Sequence, residues 1–333
     1  MIKARIIGLS SYLPEKVLTN HDLEKMVETS DEWIVSRTGI KERRIASPEE
    51  SASFMGVFAA KKALENASLK AENIDLILVA TMTPDYISPS TAALVQKELG
   101  AKDAAAFDMQ AACSGFIYGL SMAKAYVESG IYQNVLLVAT EKMSSFIDYE
   151  DRNTCILFGD GAAAAVIGNR GSGFLIDTVT LGADGSLFDL IIVPGGGSKK
   201  PTSKDTLDKK LHYLKMEGRE VFKAAVRRMG AAAISALEKA KIKKEEISWF
   251  IPHQANVRII DAIAANLQFP DEKIYKTVDR FGNTSGSSVA IALDCLIQEK
   301  GILKGEHLLM VAFGAGLTWG ATILTKIEEG TNV

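Results

Sequence analysis

Short runs of consecutive apolar residues alternate with longer stretches in which apolar positions recur every three or four residues, from one end of the chain to the other. The short runs predict strands near residues 2–8, 75–80, 105–109, 134–140 and 162–167, and again near 174–181, 247–251, 274–278, 307–313 and 319–325. The stretches between them, such as 116–127 and the long run from Glu217, have the helical period; in the latter Val221, Phe222, Ala225, Val226 and Met229 form one stripe. This is the pattern of a layered α/β protein whose sheets are covered by helices.

The order of elements is written twice. Laying Phe107-Asp108-Met109-Gln110-Ala111-Ala112-Cys113-Ser114-Gly115 over Val278-Asp279-Arg280-Phe281-Gly282-Asn283-Thr284-Ser285-Gly286 matches Asp, Ser and Gly at one offset, 279 − 108 = 171. The same offset lays 76–80 on 247–251. Three matches in nine can arise by chance, so the duplication rests more on the order of elements than on identities. Gly168-Asn169-Arg170-Gly171-Ser172-Gly173 breaks the pattern and predicts two halves, 1–171 and 172–333. In such a duplication, equivalent strand ends meet at a pseudo-twofold axis and share one site. The stretch from Pro194 through Gly195-Gly196-Gly197 into the charged residues 199–211 reads as a surface excursion.

Composition narrows the class. Of 333 residues 47% are hydrophobic, enough for two ordinary cores, and a net charge of −3 gives no reason to expect nucleic-acid binding. Cys113, Cys155 and Cys295 are odd in number and far apart, which argues against a disulfide framework or a zinc site and fits a reducing cytoplasm. No apolar run suggests a signal sequence or a membrane span.

The candidate chemistry begins at Cys113, between a predicted strand and a predicted helix. The unpaired N–H groups and positive dipole end of a first helical turn favour thiolate, so a reactive sulfur is expected here, although a lone cysteine is more often a small buried hydrophobe. Two other segments shift that balance: Pro252-His253-Gln254-Ala255-Asn256 at a strand end, and Gly282-Asn283-Thr284-Ser285-Gly286. Taken alone, His253 is as readily a structural histidine and Asn283 a turn residue. Together, Cys-His-Asn suggests acyl transfer to a thiol followed by chemistry on a fragment that develops negative charge, with neutral His253 and the Asn283 amide as hydrogen-bond donors. The glycines of Phe313-Gly314-Ala315-Gly316 let backbone N–H groups approach a substrate carbonyl; the loop has no dinucleotide-binding register.

With Thr29-Ser30-Asp31-Glu32-Trp33-Ile34, Arg37-Thr38-Gly39-Ile40, Asp151-Arg152-Asn153, Phe158-Gly159-Asp160-Gly161-Ala162 and Glu220-Val221-Phe222, these segments resemble β-ketoacyl-acyl-carrier-protein synthase III, the initiating condensing enzyme of type II fatty-acid synthesis, over nearly the whole chain. The resemblance implies a thiolase-like fold with duplicated halves in five αβαβα layers. It implies Cys113 as nucleophile, His253 and Asn283 as the decarboxylation pair, an oxyanion hole from the N–H groups of Cys113 and Gly316, and Phe313 beside them as a gate. The implied reaction loads a short acyl group, acetyl above all, from coenzyme A and condenses it with malonyl-carrier protein. Coenzyme A enters as a thioester substrate, and neither a metal nor a redox cofactor is implied.

By the same resemblance Trp33 and Arg152 sandwich the adenine, with Thr29, Arg37, Gly218 and Asn256 along the coenzyme A path. Arg258 marks the docking site of the acidic carrier protein; Lys223 and Arg227 read more simply as solvated helix charges. Tyr86 and Ile87 belong to a segment, 83–90, that reaches across a homodimer interface to floor the acyl pocket. Arg219 and the charged excursion depart from the family pattern. A thiolase would need a second catalytic cysteine in a glycine-rich loop, and the elongating synthases carry histidine where Asn283 stands. Two alternatives stay open: a secondary-metabolism relative with a different acceptor, and a non-catalytic acyl-CoA binding protein.

Overall fold

A computed structural model of the chain describes residues 2–330; residue 1 and residues 331–333, the outer ends of the two expected halves, lie outside the described residues. Thirteen strands follow in chain order: β1 (Arg5–Tyr12), β2 (Val17–Thr19), β3 (Glu42–Arg44), β4 (Leu76–Ala80), β5 (Ala105–Met109), β6 (Val135–Glu141), β7 (Gly161–Gly168), β8 (Gly173–Ala183), β9 (Ile191–Ile192), β10 (Lys215–Met216), β11 (Ile247–Pro252), β12 (His307–Gly314) and β13 (Thr318–Ile327). β2 with β3 and β9 with β10 form two small ribbons, which the apolar pattern does not announce because each is only two or three residues long.

The other nine strands form one hydrogen-bonded sheet in the order β11-β12-β13-β8-β1-β7-β6-β4-β5. Its two halves repeat: β4 and β6 are parallel, β6–β7 and β7–β1 antiparallel; β11 and β12 are parallel, β12–β13 and β13–β8 antiparallel. Within the sheet they meet where β1 pairs with β8, at Arg5↔Leu175 and Ile6↔Phe174, with the Ile176 N–H donating to Ala4 O at 3.0 Å beside them.

Alternation of side chains along the inner strands builds the layers. Leu76, Leu78 and Ala80 of β4 face a core shared with Leu308, Met310 and Ala312 of β12 and with helices Gly115–Glu128 and Ser288–Lys300. Ile77 and Val79 face the opposite way, onto helices Ala52–Asn66 and Thr91–Leu99. Leu309 and Val311 of β12 face helices Gly218–Ala240 and Val257–Leu267. Helix, sheet, helix, sheet, helix is the five-layered α/β architecture expected.

The strand expected at 274–278 does not form. Only Ile274 bridges to Phe250, and a short helix, Val278–Phe281, follows. The Gln254 carboxamide accepts the N–H groups of Thr277 and Val278 at 2.7 and 3.1 Å, so these donors are satisfied without a neighbouring strand.

The duplication also runs at two registers. Strands match at 171 (β4 and β11, 247 − 76), but the turns and helices that follow β5 and the short helix match at 173. Residues Ala112 and Ser285 share positive φ (45° and 51°), 285 − 112 = 173, and the central helices begin at Gly115 and Ser288, 288 − 115 = 173. The structural counterpart of Cys113 is therefore Gly286, two residues beyond the position that sequence identity picks.

Candidate active site

The C-terminal ends of the parallel strands converge from both halves, where open α/β sheets bind ligands. Cys113 follows β5, Glu141 ends β6, His253 follows β11 and Phe313 lies near the end of β12. Cys113, His253, Asn283, Phe313, Gly314 and Ala315 line one cavity of about 640 Å³.

Cys113 lies within the turn Ala112–Ser114 that leads into helix Gly115–Glu128. The end of β12 presses against it: a Cβ on Gly314 would fall 2.6 Å from the Cys113 nitrogen and 3.1 Å from its Cβ, so only glycine fits. The sulfur lies 3.5 Å from Ser285 Oγ. Its thiol differs from the activated thiolate expected. Burial holds its pKa up at about 12, with the Ser285 hydroxyl opposing and the Glu141 carboxylate adding to the rise. Cys113 itself is half-buried, and in its thiol form it carries a proton that any bond formed by the sulfur must displace.

Residue His253 is buried, and burial pushes its pKa down to about 3, so the ring is neutral at working pH. Nδ1 lies 2.6 Å from Ser288 Oγ, which also accepts the Gln254 N–H at 3.4 Å. Where the Ser288 hydroxyl donates to Nδ1, the ring proton sits on Nε2 and makes that nitrogen a donor. Asn283 is fixed through its side-chain oxygen, which accepts the Ser285 N–H at 2.8 Å, leaving the amide NH₂ to donate. His253 and Asn283 thus bring two neutral donors to one cavity.

The remaining expected residues divide. Arg37, Gly218, Asn256 and Arg258 line the same cavity, with Arg219 and Lys223, giving it a basic rim. Asn256 caps helix Val257–Leu267, its oxygen accepting the Ile259 N–H at 2.9 Å. Trp33, Arg152 and Thr29 stand outside the lining; the guanidinium carbons of Arg152 and Arg37 lie 4.7 and 5.6 Å from the Trp33 ring centroid. At 4.7 Å Arg152 stacks directly on the indole, and no flat ring fits between them unless Arg152 swings aside. Among the described residues Thr29 Oγ1 is buried without a hydrogen-bond partner.

Gly316 lines not this cavity but a neighbouring one of about 650 Å³, with Ala112, Ile87, His212 and residues 195–197. Ala315, passed over in the sequence because alanine carries no chemical signal, lines both. Ile87 is 95% exposed and Tyr86 60%, and Tyr86 lines neither cavity. The excursion carries a short helix, Lys204–Asp208, and is tied back by Lys210 to Asp148 at 3.1 Å and by the Gly195 N–H to Leu211 O at 2.7 Å. Gln254 and Ser285 stand inside the two segments that flank His253 and Asn283 but carry no role in the sequence reading, and Ser288 and Glu141 lie outside it altogether.

Residues 107–185 match the family described as 3-oxoacyl-[acyl-carrier-protein] synthase III, and residues 237–326 match its C-terminal domain. The chain is 57% identical over 326 residues to a β-ketoacyl-[acyl-carrier-protein] synthase III of Chlamydia pneumoniae, covering 98% of this chain and 97% of that protein. The chain belongs to the β-ketoacyl-acyl-carrier-protein synthase III family. Among solved members, the synthase III of Aquifex aeolicus superposes with a TM-score of 0.89 at 49% identity, covering 97% of this chain and 99% of the other. The priming β-ketosynthase of the R1128 polyketide pathway gives the same TM-score at 38% identity, covering 98% and 97%. Among the described residues of this synthase, no helix is long and apolar enough to cross a membrane, and no group of three His, Cys, Asp or Glu side chains could hold a metal ion.

Proposed function

We propose that this condensing enzyme starts fatty-acid synthesis by moving a short acyl group, acetyl in the first instance, from coenzyme A to Cys113 and joining it to malonyl-carrier protein with loss of carbon dioxide. The observation that carries the reading is one cavity holding a cysteine, a neutral buried histidine and an oriented asparagine amide in a chain of this family.

In the first step Cys113 Sγ attacks the thioester carbon and the coenzyme A thiolate leaves. The Cys113 N–H and a loop N–H stabilise the tetrahedral oxyanion; because Ala315 shares the nucleophile's cavity and Gly316 does not, we place the second donor at Ala315. In the second step malonyl-carrier protein loses carbon dioxide and the enolate carbon attacks the acyl-Cys113 carbonyl. His253 Nε2–H and the Asn283 amide stabilise the enolate oxygen without transferring a proton to it, each contributing about 2–4 kcal/mol to lowering the barrier. Phe313, buried beside them, keeps water from the carbanion.

Coenzyme A would enter past Arg37, Gly218 and Asn256 with its nucleotide at Trp33 and Arg152. The unpartnered Thr29 hydroxyl supports a ligand hydrogen bond there. The basic rim at Arg219, Lys223 and Arg258 suits an acidic carrier protein. Exposure of Ile87 and Tyr86 supports a homodimer in which a second copy covers segment 83–90. Two functional halves, 1–171 with the nucleophile and 172–333 with the donor pair, and a cytoplasmic location complete the proposal.

The test is mass spectrometry of the products from acetyl-CoA and malonyl-carrier protein. Acetoacetyl-carrier protein is expected from the parent, no acyl-enzyme from Cys113→Ala, and acyl-enzyme without condensation from Asn283→Ala. A parent that forms acyl-Cys113 but never condenses with malonyl-carrier protein would move the chain to an acyltransferase with another acceptor.

A further inference from the structure

Glu141 is 1% exposed at the end of β6, and among the described residues it forms no ion pair. A carboxylate taken from water without a cation costs several kcal/mol unless hydrogen bonds satisfy it. Here one oxygen accepts from Thr83 Oγ1 at 2.8 Å and from the Met82 N–H at 3.1 Å, while the other accepts from Ser285 Oγ at 3.2 Å. Ser285 Oγ is the atom that lies 3.5 Å from Cys113 Sγ. One hydroxyl therefore stands between the nucleophilic sulfur and a buried carboxylate, in contact with both. Gly286 keeps the path tight, since a Cβ there would meet Ala112 O at 2.9 Å and Glu141 Oε1 at 3.3 Å.

We propose that Ser285 and Glu141 form a proton relay that takes the Cys113 thiol proton as the sulfur attacks and returns it when the sulfur is released. On attack the Sγ–C bond forms, the Sγ proton passes to Ser285 Oγ, and the Ser285 proton passes to Glu141. Coenzyme A then leaves as thiolate and takes a proton from water. After condensation the C–Sγ bond breaks, Ser285 returns a proton to the sulfur, and Glu141 gives its proton back to Ser285. Overall one proton is drawn from water, as a decarboxylating condensation that releases a free thiol requires.

The alternative acceptor is weaker. Burial leaves His253 with a pKa of about 3, whereas burial raises Glu141 to about 7 against its hydrogen bonds, so near neutrality the carboxyl is the better matched base. Few charges face it. Thr81, Met82 and Thr83 are neutral, the turn Ser285–Ser287 brings none, and Cys113 is the titratable neighbour across the turn. Lys142 turns its ammonium to Ser47 O at 2.6 Å, and Asp160, next to the residue paired with Glu141, is occupied by Ser144 and Ala46.

The relay depends on the proposed function only in taking Cys113 as the nucleophile, and it is tested apart from condensation. Alkylation of Cys113 by iodoacetamide and its acylation by acetyl-CoA are timed by mass spectrometry from pH 5.5 to 9 in the parent, Ser285→Ala, Ser285→Gly and Glu141→Gln. Parent rates are expected to rise through an inflection near pH 7. The variants should react roughly tenfold or more slowly at pH 7.5, lose that inflection and approach the parent only at high pH, while Cys155 and Cys295 label alike in all four proteins. Ser285→Gly relaxes the positive φ and so separates loss of the hydroxyl from backbone strain. If Ser285→Ala and Ser285→Gly keep the parent's rate and pH dependence, the relay is overturned whatever Glu141→Gln does. Relay loss with intact acetoacetyl production, or the reverse, would separate this proposal from the one above.

Discussion

Ser285 gives its backbone N–H to the Asn283 side-chain oxygen at 2.8 Å, and that bond decides which end of the carboxamide faces the cavity. Asn283→Asp keeps the acceptor and the shape but turns the donor into a second oxygen beside a developing enolate. Carbon dioxide release from malonyl-carrier protein is expected to fall more than in Asn283→Ala, beyond the roughly 10²–10³-fold typical of one lost donor. Acylation of Cys113, followed by intact mass, should proceed in both.

His253 and Glu141 act on stability in opposite directions. The His253 pKa falls from 6.5 to about 3 on folding, so its contribution is present above pH 6.5 and is lost as pH drops, by about 2 kcal/mol at pH 5. The Glu141 pKa rises from 4.5 to about 7, so its contribution is present below pH 4.5 and is lost as pH climbs through 7, by a similar amount. Urea denaturation at pH 5 and pH 7 should therefore differ little in the parent on account of these two groups. Glu141→Gln should lose stability on acidification and His253→Gln should gain it.

Gly314→Ala places a methyl against the Cys113 backbone. It is expected to cost about 1–3 kcal/mol of stability and to slow acylation at least tenfold. Gly185→Ala, where a Cβ meets nothing within 4 Å, serves as the control and should leave acylation as it is. Thermal melts and single-turnover acylation check both.

Arg152 rests on Trp33 and donates to Glu28 O at 3.1 Å. With the guanidinium removed, the KM for acetyl-CoA is expected to rise about 2–30-fold in Arg152→Ala, the range of one cation–π contact. Acetyl-N-acetylcysteamine, which lacks the nucleotide, should show no change.

Much of the fold was legible because strands with mostly buried side chains leave runs of apolar residues, and these mark nine of the strands. The tenth, at 274–278, is also rich in β-branched and aromatic residues, but Gln254, more than twenty residues earlier in the chain, takes the Thr277 and Val278 N–H groups, and no local pattern reveals a side chain that substitutes for a strand. The cavity's cysteine, histidine and asparagine were legible by residue type and motif. Ser285 and Glu141 were not, because serine and glutamate are common and their meaning lies in a contact across 144 residues of chain. The thiolate expected from the helix terminus is opposed by desolvation at Cys113, a property of the packed surroundings that no sequence window contains.

The seam between β1 and β8 is short, with two residue pairs in register, yet the central helices of both halves share one core. On the proposed function, Cys113 as nucleophile belongs to one side of that seam and the donors His253 and Asn283 to the other. A chain cut within residues 169–172 would thus yield two fragments that are each inert by construction, one able to carry an acyl group at most and the other with nothing to condense. Mixed together, they would report their own reassembly through the appearance of product, which makes the break between β7 and β8 a natural place for a split reporter.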